Sequence, residues 1–247
     1  MSIALEVAVQ DAAGVRVAQE IGAARVELAQ GLALGGITPS AATIAAAVEA
    51  AGADGPEVHV LVRPRAGGFH YDAEEIATTA RDIRFALEAG AAGVVIGAQD
   101  ATGALDLDVL AGLREAALAA RSDAGVTLHR AIDVTPDPVA ALRGVRDLGF
   151  ARVLTSGGAS AAIDGIDVLR AMVAAAEGRI QVMAGSGVNP ATAAEIAATG
   201  VDALHFSAKR TVLAAGGVRM GSASDGVGGH EVTDLDEARA VRASLGL

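Results

Sequence analysis

Eight short apolar runs recur along this chain, and each ends in a polar or glycine-rich residue. The runs lie at 3–9, 25–29, 57–63, 93–97, 126–130, 152–156, 180–184 and 203–207. Alanine-rich segments of helical period and length separate them, among them 72–89, 106–121 and 136–148. Thr38-Pro39 and Asn189-Pro190 read as a capping side chain ahead of a proline in the first helical turn. Gly52, Gly90, Gly149 and Gly200 read as helix stops. Strands alternating with helices of this length build a parallel sheet, and eight units in 247 residues predict a single (β/α)8 TIM barrel. A nine-unit count and an open doubly wound sheet are the competing topologies. In a barrel, active sites form at the C-terminal ends of the strands, where the reactive side chains of this chain gather.

No break in composition divides the chain, so residues 1–247 read as one domain. Residues 211–232, rich in glycine and serine from 216 onward, are expected to form a loop before the last helix, either a lid over the strand ends or a surface connection. The first strand begins almost at Met1, without a basic leader or a bilayer-length apolar stretch, so the expectation is a soluble, cytoplasmic chain with no membrane partner. A net charge of -11 disfavours nucleic acid, which needs clustered cations to neutralise phosphates. There is no cysteine, which removes disulfides, thiolate nucleophiles and the usual sulfur ligands of zinc and Cu(I).

Side chains alternate along a strand, and that alternation sorts the barrel interior from the helix-facing side. Val58, Val60 and Val62 share one face of the third strand and suit packing against helices, while His59, Leu61 and Arg63 share the other. The same rule places Glu6, Glu27, Thr127, His129, Gln181, Met183, Ala203, His205 and Ser207 inside. A buried carboxylate needs a cation or must take up a proton, and Arg63, Arg65 and His129 are the nearest candidates by strand end. A structural ion-pair network that closes the barrel is the competing reading of these charges. His59 reads as a hydrogen-bonded core histidine, and His70 and His230 as solvent-facing loop residues.

Arg63-Pro64-Arg65 with Gly67-Gly68-Phe69, the run Thr127-Leu128-His129-Arg130-Ala131-Ile132-Asp133, and Arg152-Val153-Leu154-Thr155-Ser156-Gly157 form an ordered set. Glu6, Arg25-Val26-Glu27-Leu28, Gly35-Gly36-Ile37-Thr38-Pro39-Ser40, Met183-Ala184-Gly185-Ser186-Gly187-Val188 and His205-Phe206-Ser207-Ala208 extend it from the first strand to the eighth. Taken together they resemble the CutC family, named as copper homeostasis proteins. The resemblance implies a TIM barrel, a cytoplasmic location, copper binding or handling, and a homodimer or higher oligomer. Arg130, Ser156, Gly185, Ser186, Gly187, His205 and Ser207, at or just past the strand ends, are the ligand-binding candidates. Cysteines that several relatives carry after the first two strands are replaced here, in Val7-Ala8-Val9 and Leu28-Ala29-Gln30. Soft Cu(I) prefers thiolates and thioethers, so weak Cu(I) affinity is expected, with Met183 the remaining sulfur donor near the strand ends. A Cu(II) or zinc site from His129, His205 and a glutamate is the other metal reading. No HxxxH or CxxC pair marks one, so no metal ligand is assigned.

The rival to metal handling is an enzyme acting on a small anionic metabolite. Arg63 and Arg65 would clamp a carboxylate or phosphate, Glu27 or Glu6 would act as base, and His129 would act as acid or electrophile with Asp133 orienting a neighbour. The single lysine, Lys209, lies beyond the eighth strand, which demotes Schiff-base chemistry. A separate anion site is expected between the seventh and eighth strands, from the Gly185-Ser186-Gly187 turn, the helix after it, Ser207, and Lys209 with Arg210.

Overall fold

The computed structural model describes residues 3–213 and 229–247. Eight parallel strands close into a barrel: β1 Ala4–Val9, β2 Arg25–Leu28, β3 Glu57–Leu61, β4 Gly93–Ile96, β5 Gly125–Leu128, β6 Arg152–Thr155, β7 Gln181–Gly185 and β8 Ala203–Phe206. Each strand pairs with the next in sequence, and β8 returns to β1 with Glu6 opposite His205. This is the (β/α)8 TIM barrel that the alternation of runs predicts. Among the described residues, no helix is long and apolar enough to cross a membrane.

The helices are α1 Ala12–Glu20, α2 Ala41–Ala51, α3 Ala73–Glu88, α4 Leu107–Ala120, α5 Pro138–Asp147, α6 Ile166–Ala176, α7 Ala193–Ala197 and α8 Leu235–Ser244. Their starts follow capping chemistry. Asp72 accepts from the backbone N–H groups of Glu74 and Glu75, and the Glu75 carboxylate answers by accepting from the Asp72 N–H, a reciprocal cap that satisfies the free donors of the first turn. At α2 the cap is Ser40, which accepts from the Thr43 N–H, and not Thr38. Thr38 instead exchanges hydrogen bonds with the Arg63 backbone, donating to its carbonyl and accepting from its N–H. Similarly, Asn189 accepts from the Ala191 N–H and opens a turn, but α7 begins only at Ala193.

Alternation along the strands divides the core as expected. Val7, Val9, Val26, Leu28, Val58, Val60 and Val62 join the apolar layer under the helices, whereas Leu61 packs inside with Ala29 and Val95, and Met183 with Leu154 and Ala203. The interior also holds ionisable groups deep below the mouth. His59 is buried and bonded to Glu57 at 3.2 Å, and its imidazole fits because β4 carries Gly93, where a Cβ would lie 2.4 Å from His59 Cε1.

Part of the segment read as a loop is a hairpin. β9 Lys209–Leu213 pairs antiparallel with β10 Gly229–Thr233, so residues 211–213 and 229–232 are strand and His230 sits exposed on β10. The glycine and serine composition hides this pairing, because the strand residues at its two ends are separated by a long glycine-rich insertion. Residues 214–228, and with them most of the expected lid, lie outside the described residues. The hairpin leans over the end of β1, where Gln10 donates to the Glu231 carbonyl at 3.3 Å.

Candidate functional site

The strand ends surround a cavity of about 490 Å³. Glu27, Arg63, His129, Arg130 and His205 line it, and Ser186, Gly187 and Ser207 contribute to its rim. Phe69 and Lys209, which sequence reasoning left outside the site or on its margin, line it as well.

One wall is a chain of ionisable side chains from three adjacent strands. Glu6 is fully buried on β1 and accepts from Arg25 Nε at 3.0 Å and from His205 Nδ1 at 2.9 Å. His205 Nε2 stands 3.7 Å from Glu27 Oε2, near enough for an ion pair but too long for a hydrogen bond. The cations that meet Glu6 and Glu27 are therefore Arg25 and His205, and not Arg63, Arg65 or His129. Arg25 shares the inward face of β2 with Glu27, and that alternation was the signal that would have found it.

Environment separates the two carboxylates. Burial opposes the charge on Glu6, but the His205 hydrogen bond, the His205 charge and Arg25 outweigh it and hold its pKa at about 2. Burial also acts on Glu27, where the His205 charge compensates only in part and Glu6 adds repulsion, so its pKa rises to about 6. Between them His205 is held above the usual imidazole range, because the Glu27 and Glu6 carboxylates overcome the penalty of burial. One carboxylate is thus permanently charged, and the other is poised to take up a proton near neutrality.

Other candidates play supporting parts. Asp133 sits behind the cavity wall in the short 3-10 turn Arg130–Val134. Its carboxylate accepts from Arg130 Nε at 2.7 Å, from the Ser156 N–H and hydroxyl, and from the Thr155 hydroxyl at 2.5 Å. Ser156 accepts in turn from Arg130 Nη2 at 2.9 Å. Asp133 and Ser156 therefore hold Arg130 against the cavity without lining it themselves. Gly185 permits close packing, since a Cβ there would lie 2.6 Å from Leu154 Cδ1 and 3.2 Å from His205 Cβ.

Arg63 and Arg65 do not form a clamp. Arg63 lines the cavity, but its Nη1 donates to the carbonyls of Leu34 and Gly36 and its Nη2 to that of Gly67. Arg65, one step past the alternation of β3, turns outward to an ion pair with Glu75 and donates to the carbonyls of Gly68 and His70. The expected anion site after β7 also loses its main parts. α7 has five residues and starts well beyond Gly187, the Ser186 hydroxyl donates to the Ser160 carbonyl, and Arg210 pairs outward with Asp234. Lys209 does reach the cavity rim, held by Glu231 at 2.6 Å.

The family model for "CutC family" matches residues 3–210, which span every strand of the barrel and every side chain of the site. The chain belongs to the CutC family. Relatives named as family protein CutC include one from Sinorhizobium medicae, 41% identical over 98% of this chain and 96% of its own length. Another, from Caulobacter vibrioides, is 48% identical over 83% of this chain and 81% of its own. The crystal structure of a protein named for copper homeostasis, CutC from Streptococcus agalactiae, superposes with a TM-score of 0.76 at 30% identity, covering 83% of this chain and 98% of that one.

Proposed function

We propose that this chain is a barrel enzyme that moves a proton to and from a small anionic metabolite in the barrel mouth. Glu27 is the base, and His205, oriented by Glu6, is its acid partner. The observation that carries this reading is geometric: two buried carboxylates flank one imidazole at the cavity wall, Glu6 at 2.9 Å from His205 Nδ1 and Glu27 at 3.7 Å from its Nε2, and their surroundings push the Glu6 pKa down and the Glu27 pKa up. A carboxyl that titrates near neutrality and faces a cavity can accept and return a proton within one turnover. Arg130 and Lys209, held by Asp133 and Glu231, still line the cavity and put positive charge where a carboxylate or phosphate of the substrate would sit. A net charge of -11 disfavours nucleic acid as the ligand.

The name of the Streptococcus agalactiae relative raises copper as the second reading. The donors here do not fit Cu(I). There is no cysteine, and Met183 is fully buried against Leu154 and Ala203. His205 Nδ1 is held by Glu6, and His129 Nδ1 by a backbone amide. Among the described residues, no group of three or more histidines and carboxylates is arranged to hold a metal ion.

Mass spectrometry of a small-molecule extract incubated with wild type, Glu27→Gln and His205→Gln separates the two readings. The enzyme reading expects one anionic compound to be transformed by wild type and about 100-fold more slowly by Glu27→Gln. An extract left unchanged by wild type, together with stoichiometric Cu(I) retained against a tight chelator, favours copper handling instead.

A further inference from the structure

The two nitrogens of His129 are in different states. His129 follows β5, and its Nδ1 accepts the backbone N–H of Ala131 at 3.1 Å. A ring nitrogen that accepts from an amide carries no proton, so the neutral imidazole bears its proton on Nε2. That Nε2 is buried without a hydrogen-bond partner, although the residue forms part of the cavity wall. A buried donor left unbonded is unfavourable, and a ligand that brings an acceptor into the cavity relieves the cost.

Three features keep the ring neutral and fixed. Burial first, and the nearby Arg63 charge second, push its pKa down to about 3. The Phe69 ring packs 4.7 Å from the imidazole, with Arg63 over the same phenyl ring at 5.2 Å. Just past the end of the neighbouring strand β4, Gly97 leaves room for the imidazole, because a Cβ there would lie 2.2 Å from His129 Cε1. β5 is also four strands from β1 in either direction round the barrel, whereas Glu6, Glu27 and His205 stand on β1 and its two neighbours. His129 therefore stands across the barrel from the acid–base chain.

We infer that His129 Nε2 donates to a carbonyl oxygen of the substrate, and that the substrate is a small carboxylate or phosphate ester whose carbon next to that carbonyl gives a proton to Glu27. This deepens, and rests on, the acid–base reading above. In the step, the Glu27 carboxylate takes the proton from the carbon. The C–H electron pair becomes a carbon–carbon double bond, and the carbonyl π pair moves onto oxygen to give an enolate. Return of the proton from Glu27 to the same carbon regenerates the substrate, which is the exchange read in heavy water. Delivery of the His205 proton to another atom of the enolate gives the isomer, and proton transfer from Glu27 to His205 resets the pair without an oxidant or a second reactant. A neutral donor beside the oxygen where charge develops stabilises it, and the nearby Arg63 charge favours the same oxyanion.

Oxalate, a planar mimic of a keto-acid enolate, is the binding probe. Calorimetry compares wild type with His129→Leu, which removes the donor, and His129→Gln, whose amide N–H replaces Nε2–H. Binding is expected to weaken about 10- to 100-fold in the leucine variant and to stay within about threefold in the glutamine variant. In wild-type protein, whatever the folding of the variants, nitrogen-15 NMR should find the proton on His129 Nε2 and its resonance displaced by oxalate. Incubation in heavy water should also place deuterium on the methyl group of pyruvate, and Glu27→Gln should abolish that exchange. Equal oxalate affinity in wild type and His129→Leu, or an unmoved Nε2 resonance, overturns the inference. So does failure of wild type to bind oxalate or to exchange pyruvate. If the extract assay nevertheless finds a compound whose conversion needs Glu27, the acid–base reading stands and only the carbonyl assignment falls.

Discussion

Replacing Glu6 with glutamine keeps the size of the side chain and its carbonyl acceptor but removes its charge. In the folded protein that charge faces Arg25 at 3.0 Å and His205 at 2.9 Å, with Glu6 fully buried. The fall of its pKa from 4.5 to about 2 corresponds to about 3 kcal/mol of folding stability. No solvent screening reduces this figure, since Glu6 is out of contact with water. Because the folded-state pKa is depressed, the contribution is complete above the unfolded value of 4.5 and is lost as pH falls through about 2. Urea unfolding should therefore find Glu6→Gln less stable by about 3 kcal/mol at neutral pH, with the gap shrinking to roughly 1 kcal/mol near pH 3. The variant should also lower the His205 pKa, because one of the two carboxylates that raise it is gone. A difference below about 1 kcal/mol at neutral pH, or one that does not change with pH, would refute the claim that Glu6 works as a buried anion.

Three further outcomes follow from the same geometry. Asp133→Asn should cost about 3 kcal/mol in urea unfolding and weaken oxalate binding, because one carboxylate gathers Arg130, Ser156 and Thr155; unchanged affinity would show that Arg130 needs no anchor. Gly97→Ala should cost about 1–3 kcal/mol and move the His129 imidazole resonances, since the added Cβ meets the ring at 2.2 Å; a silent NMR spectrum would contradict this. Arg65→Ala should leave oxalate affinity and turnover unchanged and stability little altered, as its ion pair with Glu75 lies on the surface; a loss of binding would restore the arginine clamp.

The barrel was legible because eight alternations of run and helix leave few topologies, and period two assigned Glu6, Glu27, His59, His129 and His205 to the interior. What alternation does not encode is stagger between strands. Glu6 stands opposite Arg25 on one side and His205 on the other, and that register comes from barrel closure, not from any one segment. Residues just past a strand end escape the rule altogether. Arg63 continues inward while Arg65 swings out to Glu75, and Asp133 turns away from the cavity inside a 3-10 turn. The unpaired state of His129 Nε2 depends on a local bond to Ala131 N–H, a contact set by the turn and invisible in composition.

Carbon-13 NMR of the glutamate side-chain carboxyls, assigned with Glu6→Gln and Glu27→Gln, tests the separation of the two carboxylates on which this account rests. The expected result is a pair of titrations, about 2 for Glu6 and about 6 for Glu27. Two carboxyls titrating together near 4.5, the ordinary glutamate value, would contradict it.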